Sequence, residues 1–252
     1  MNKKAQVTLY ILLSIVIVTS VILFFLFKDS ISITSNPIND PDSYLRSCIE
    51  DSIKASEENI LDSNGFYSKD TYNSMLYNSE KIPYLCTSYE YYSACMPQEP
   101  MFAEKQRVLM ENKAAVDFNN CVSTLKKELE NKGYNIKNDN SIVSIIFMKD
   151  VIKANVEINF IATREESSIK LQDIEVTHPS KLFNMLNLAQ TIVNYESTLC
   201  EFGLMNWMAT NSEILIKRDT TSDQTKVYTL QERIGLKELK FAIRTCVSPA
   251  GL

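Results

Sequence analysis

Hydrophobic positions follow three successive patterns along the chain. From Val7 to Phe27 the 21 residues VTLYILLSIVIVTSVILFFLF carry no charge. At the rise of an α-helix they span about 31 Å, close to the hydrocarbon thickness of a bilayer. A helix satisfies its own backbone hydrogen bonds, so the run predicts a transmembrane helix over 7–27 rather than a buried core helix. Lys3 and Lys4 precede the run, whereas Lys28 is followed at once by Asp29. The basic flank stays in the cytoplasm, so residues 1–6 are expected inside and the chain beyond the span outside. A secretory signal cut off behind the apolar run is the competing expectation. Its core is normally shorter, and no small-x-small site follows Phe27.

The second pattern has a helical period. Residues 28–41 read as a polar linker, in which Pro37 and Pro41 cannot prolong the membrane helix. Asp40-Pro41 is a good cap and first-turn pair. A helix is expected over Pro41–Asp62, with Leu45, Cys48/Ile49, Ile53, Ile60 and Leu61 on one stripe and Gly65 behind its end. Residues 66–103, rich in Tyr and holding Pro83, Pro97 and Pro100, read as irregular. A second helix is expected over Glu104–Lys132, with Phe118, Cys121/Val122, Leu125 and Leu129 on one face and Gly133 as its stop.

The period then drops to two. Ile142–Met148 is a β-prone apolar run, and Asn155–Phe160 alternates as a half-buried strand does. Ile169, Leu171, Ile174 and Val176 alternate with a slip at Gln172-Asp173, which suggests a bulge in an antiparallel meander. A third helix starts near Pro179 and runs to Leu199/Cys200. Strands Ile214–Lys217, Lys226–Leu230 and Leu239–Thr245 complete the pattern. The expected fold is α+β: a membrane helix, then an extracellular domain of helices and an antiparallel sheet over 42–252. The chain ends outside, so no cytoplasmic signalling domain is expected.

Composition adds limits. With 45% hydrophobic and 23% charged residues the chain can bury a core, and 5 Gly with 7 Pro exclude a collagen-like or low-complexity chain. The net charge is −5. Three of the basic residues precede the ectodomain, which makes it more acidic still. That balance argues against a nucleic-acid partner held by phosphate neutralisation.

Six cysteines follow the apolar run: Cys48, Cys86, Cys95, Cys121, Cys200 and Cys246. An even number in an oxidising compartment reads as disulfides, with fifteen possible pairings. Cys86 and Cys95 flank a short loop that a bridge closes without bending long elements, worth about 2.7 kcal/mol for about ten residues. Cys48 and Cys121 lie on the apolar faces of two helices expected to pack together. Cys200 and Cys246 then form the remaining pair. Buried free thiols are the alternative. The absence of Cys-x-x-Cys speaks against zinc and against thioredoxin-like chemistry.

Candidate chemistry is sparse. His178 is the single histidine and precedes Pro179 at an expected helix start, which suits a structural or exposed role better than catalysis. Glu165-Glu166 sits in a polar turn. Asp40, Asp42, Glu50 and Asp51 lack the oxygen spacing of a calcium loop. Phosphate-cradling and nucleophile-elbow motifs are missing, so neither an enzyme nor a cofactor is expected. No Asn begins a glycosylation sequon. Tyr84, Tyr89, Tyr91 and Tyr92 form the interaction candidate, because Tyr supplies rigid contact area with a polar tip. The blander and stronger expectation is that these rings cover the domain's own core.

Two stretches resemble known families. Lys3-Lys4-Ala5-Gln6, directly before an apolar helix, resembles the archaeal class III, type IV pilin-like signal peptide. That resemblance implies peptidase cutting between Ala5 and Gln6. Pilins usually carry Glu as the fifth residue after the cut, where this chain has Tyr10, and their helix runs unbroken from membrane to head. The order of the Lys-Lys-Ala-Gln anchor, Tyr44-Leu45-Arg46-Ser47-Cys48-Ile49-Glu50, Gly65-Phe66-Tyr67, Ile82-Pro83-Tyr84 and the Cys121 helix ending in Gly133-Tyr134 resembles uncharacterised single-span surface proteins of small-genome archaea. That family lends no activity. Together these readings give a membrane-anchored surface protein of structural or interaction type, partnered by the bilayer and other cell-surface proteins. A pilin-like filament subunit and a secreted-side hydrolase are its rivals.

Overall fold

The computed structural model describes residues 16–19, 39–66, 73–138, 141–235 and 237–249. The chain divides into two compact units, Met1–Asn36 and Pro37–Leu252. In the first, Val16–Thr19 are helical. The rest of the expected 7–27 span, the Ala5–Gln6 motif and the linker up to residue 38 lie outside the described residues. Among the described residues no helix is long and apolar enough to cross a membrane.

The second unit is mixed α+β. Its first helix, α1 (Pro41–Asp62), starts where the capping pair places it, with Ser43 N–H donating to Asp40 Oδ1 at 3.0 Å. It ends as Asn64 and Gly65 turn left-handed, at φ +55° and +89°, and Gly65 N–H closes on the Ile60 carbonyl at 2.7 Å. A Cβ on residue 65 would lie 2.6 Å from Phe102 Cζ, so glycine serves both the backbone angle and the packing there.

The second helix, α2 (Phe102–Asn131), runs antiparallel to α1. Cys48 is bridged to Cys121, and Ser52 Oγ donates to Asp117 at 2.6 Å. Four residues forward on α1 is therefore four back on α2. Leu45, Ile49, Ile53 and Ile60 face Met110, Ala114, Phe118 and Leu125 within one buried cluster.

Five strands join in the order β1 (Ser74–Tyr77), β2 (Glu80–Thr87), β12 (Glu238–Arg244), β11 (Lys226–Glu232), β10 (Ile214–Thr220), with β3 (Met96–Pro97) beside β2. Among the described residues of 66–103, three strands thus form where irregular structure was expected. These strands escape pattern reading because Pro83 and the tyrosines mask the alternation. Pro83 is tolerated because pairing with β12 begins one residue later, at Tyr84. That pairing is parallel, so this sheet is mixed rather than purely antiparallel.

The expected meander is two three-stranded sheets, β5 (Ile142–Met148)–β6 (Val151–Glu157)–β9 (Ile174–Pro179) and β4 (Asn135–Asn138)–β7 (Phe160–Arg164)–β8 (Ser167–Leu171). One long hairpin crosses from the first to the second. Val156 pairs with Ile174 and Phe160 with Leu171, so three residues on one strand face two on the other. The slip at Gln172-Asp173 is real, but it marks a corner between sheets. The third helix, α3 (Leu182–Leu199), packs Met185, Leu186, Ala189 and Ile192 into the shared core. A short fourth helix, α4 (Leu204–Thr210), precedes β10.

Candidate functional site

The six cysteines meet as Cys48–Cys121, Cys86–Cys95 and Cys200–Cys246, with Cα separations of 6.5, 5.4 and 5.9 Å. These are the pairs favoured from their positions in the sequence. Each lies within the span a disulfide bridges. The first fastens α1 to α2. The second closes the loop after β2, and the third ties the end of α3 to the end of β12.

The closed loop, residues 88–95, carries the interaction candidate. Its backbone is held along its length. Ser88 N–H donates to the Arg244 carbonyl at 2.8 Å, Tyr92 N–H to Val247 at 2.9 Å, and Cys246 N–H to Ser93 at 2.9 Å. Cys95 N–H reaches Thr245 Oγ1 at 3.1 Å, and the Arg244 guanidinium donates to the Ser88 carbonyl. Tyr92 sits at φ +57°, a left-handed conformation costly for a side-chain-bearing residue. These fastenings hold the rings outward. Tyr89 is 81% exposed, Tyr91 53% and Tyr92 65%. The expectation that all four rings cover the core fails for these three. It holds in part for Tyr84, half-buried on β2 in a small outer cluster with Ile82, Val227 and Ala242. A disulfide-clamped tip can offer three open rings because the bridge and the β12 contacts, not ring burial, order it.

The other sequence candidates disperse. Glu165 and Glu166 form the exposed turn between β7 and β8. Asp40 caps α1, Asp42 pairs with Arg46 at 2.6 Å, and Asp51 accepts from Ser47. Among the described residues no acidic, His or Cys group converges as a metal site.

His178 is on β9, not at a helix start, and it belongs to a buried cluster that the sequence reading missed. Glu57, fully buried on α1, takes His178 Nε2 at 2.9 Å, Ser180 Oγ at 2.6 Å and Lys237 Nζ at 2.9 Å. Burial alone would raise the Glu57 carboxyl. The hydrogen bonds from His178, Ser180 and Lys237, with the Lys237 charge, outweigh it and hold the group below its ordinary value. Nearby Glu232 goes the other way: burial and the Glu57 charge raise it against the pull of Lys237 and Lys181. Ser180 and His178 both bond to the carboxylate, and Ser180 Oγ also accepts Leu182 N–H at 3.0 Å. The hydroxyl is therefore spent on the start of α3 and on Glu57. This wiring ties α1, β9 and the β11–β12 turn together; it is not that of a nucleophile activated by its base.

A second buried carboxylate, Glu196 on α3, accepts from Tyr228 Oη and from Lys226 Nζ, the latter at 2.7 Å. Lys226 also donates to the Cys200 carbonyl at 2.6 Å. Burial, then the Glu196 carboxylate, push the Tyr228 hydroxyl far above its ordinary range. Both glutamates had a signal. Glu57 lies between Ile53 and Ile60, and Glu196 follows Ile192 and Val193 by one turn, each on the apolar stripe of its helix. A charge in such a stripe announces a buried partner.

No known protein family, curated protein or solved structure matches the chain.

Proposed function

We propose that this is a single-span membrane protein whose disulfide-stapled α+β domain stands outside the cell and works by contact, through the Tyr89, Tyr91 and Tyr92 loop. The observation that carries the reading is the loop itself: three open aromatic rings on a backbone fixed at both ends. Exposed aromatic clusters are costly to leave in water and mark recognition surfaces. A fixed backbone lowers the ordering cost of binding. The apolar run 7–27 and three bridges, which belong to oxidising compartments, support the placement. The partner is a macromolecule of the same surface. The tethered buried carboxylates serve the scaffold.

The test is photo-crosslinking in living cells from a benzophenone amino acid placed at Tyr91. Discrete adducts that vanish when Tyr89 and Tyr92 are both changed to Ser support the reading. Adducts that form equally from exposed Lys170 on β8 overturn it.

A further inference from the structure

We propose that a groove along α3 binds neutral carbohydrate. This goes beyond the surface-contact reading, uses other residues, and stands whether or not the tyrosine loop has a partner.

Two cavities, of about 690 and 460 Å³, both have Phe183 and Asn187 in their linings and so adjoin along α3. Each falls within the roughly 300–1,000 Å³ of small-molecule sites. The first opens between the start of α2, β5 and α3. The second opens between α3, α4 and the start of β10. Phe183, Asn187 and Thr191 are spaced i, i+4, i+8, so α3 presents them as one ladder along the groove.

The lining has the two characters that a sugar ring requires. A pyranose has an apolar C–H face and a rim of hydroxyls that donate and accept. For the face, the groove offers half-buried aromatic rings: Phe147 and Phe183, with centroids 6.3 Å apart, and the single tryptophan, Trp207. For the rim, it offers carboxamides, which both donate and accept. Thr191 and Asn211 are bonded within the fold, Thr191 Oγ1 to the Asn187 carbonyl at 2.9 Å and Asn211 Nδ2 to the Trp207 carbonyl at 3.0 Å. These bonds make the wall rigid. The Asn187 carboxamide and the Trp207 indole N–H enter no such bond among the described residues, and both border the groove.

Charge selects the ligand further. Arg107 is committed to Glu104 and Glu111, each at 2.7 Å, and to the Ile145 carbonyl at 2.9 Å. Glu213 holds Lys181 at 2.7 Å and lies 3.9 Å from Lys149. Apart from the exposed Lys149, these charges are already paired at hydrogen-bond distance, so an ionic ligand would compete with a partner already in place. A wholly apolar ligand would strip water from Asn187 and the neighbouring hydroxyls without replacing it. A neutral oligosaccharide does neither.

Because Trp207 is the only tryptophan and lines the α3–α4 cavity, its emission reports on that part of the groove. The full chain, in a detergent without a sugar headgroup, is titrated with maltoheptaose, cellohexaose, chitohexaose and mannohexaose, and with sialyllactose as the acidic comparison. A saturable emission change with at least one neutral oligosaccharide is expected. Asn187→Ala, exposed and harmless to the fold, should weaken it about tenfold or more. Phe183→Ala should do at least as much, and Lys170→Ala should leave it unchanged. Trp207→Phe, read by calorimetry, should keep binding but weaken it. The proposal is overturned if no neutral oligosaccharide gives a saturable change up to about 1 mM. It is equally overturned if Asn187→Ala binds as the parent does, or if sialyllactose alone binds.

Discussion

Replacing Glu57 tests whether the buried carboxylate cluster holds the domain together. In Glu57→Ala, Ser180 Oγ and His178 Nε2 lose their acceptor inside the fold, while Lys237, 40% exposed at its side chain, turns to water. Two stranded donors at about 1–3 kcal/mol each, with the Lys237 contribution discounted for exposure, give a loss of about 3–5 kcal/mol. Glu57→Gln keeps the shape and one carbonyl acceptor, so it should lose only about 1.5–3 kcal/mol. The assay is urea unfolding of the full chain in detergent, followed by far-UV circular dichroism and Trp207 emission, at neutral and acidic pH. Glu57 has a depressed pKa in the fold, so on acidification the unfolded chain takes up the proton first. Its stabilising contribution is complete above the ordinary value of 4.5 and is lost as the pH falls through the lower value in the fold. The gap between parent and Glu57→Gln must therefore narrow below about pH 4. A gap under about 0.5 kcal/mol at neutral pH, or one that does not change with pH, refutes the reasoning.

Tyr228→Phe keeps the stacked ring, 5.4 Å from Phe241, but removes the hydroxyl that Glu196 accepts, and should cost about 1–3 kcal/mol in the same unfolding assay. Because the Tyr228 hydroxyl is raised in the fold, its contribution is complete below pH 10 and is lost only as the pH climbs towards that raised value; ultraviolet titration should show at least one tyrosine that ionises only on unfolding. Gly65→Ala forces a methyl towards Phe102 at a left-handed φ, and should lower the unfolding free energy by about 1–3 kcal/mol. Removing the Cys48–Cys121 bridge opens a loop of 73 residues and should cost about 4.4 kcal/mol by chain entropy, against about 2.6 for the 9-residue separation of Cys86–Cys95. Calorimetry of the two double Cys→Ser variants should give that order.

Helices were readable because caps, stripes and stops agree locally. Asp40-Pro41, the Leu45-to-Ile60 stripe and Gly65 each point to α1, and α1 starts and ends there. The same local logic found β5 at Ile142–Met148 and brought the cysteines into the right pairs. What escaped depends on distant partners. β2 needs β12, some 155 residues on, and its parallel pairing leaves no local trace. The corner at Ile158-Asn159 reads as continued alternation, because strand period does not change when a hairpin leaves one sheet for another. The run of tyrosines marks the loop as a candidate, but whether its rings pack inward is decided by Arg244, Thr245 and Val247 at the far end of the chain. The groove along α3 needs Phe147 and Trp207 brought to the two cavities that Phe183 and Asn187 share, which no spacing records.

The most direct test of the account is thiol labelling in living cells with maleimide, quantified by intact mass with and without prior reduction. The account predicts no label on the unreduced chain and six labels after reduction, one for each cysteine of the three bridges. Six labels without reduction would show that the thiols are free and the domain is not stapled in an oxidising compartment, and would contradict it.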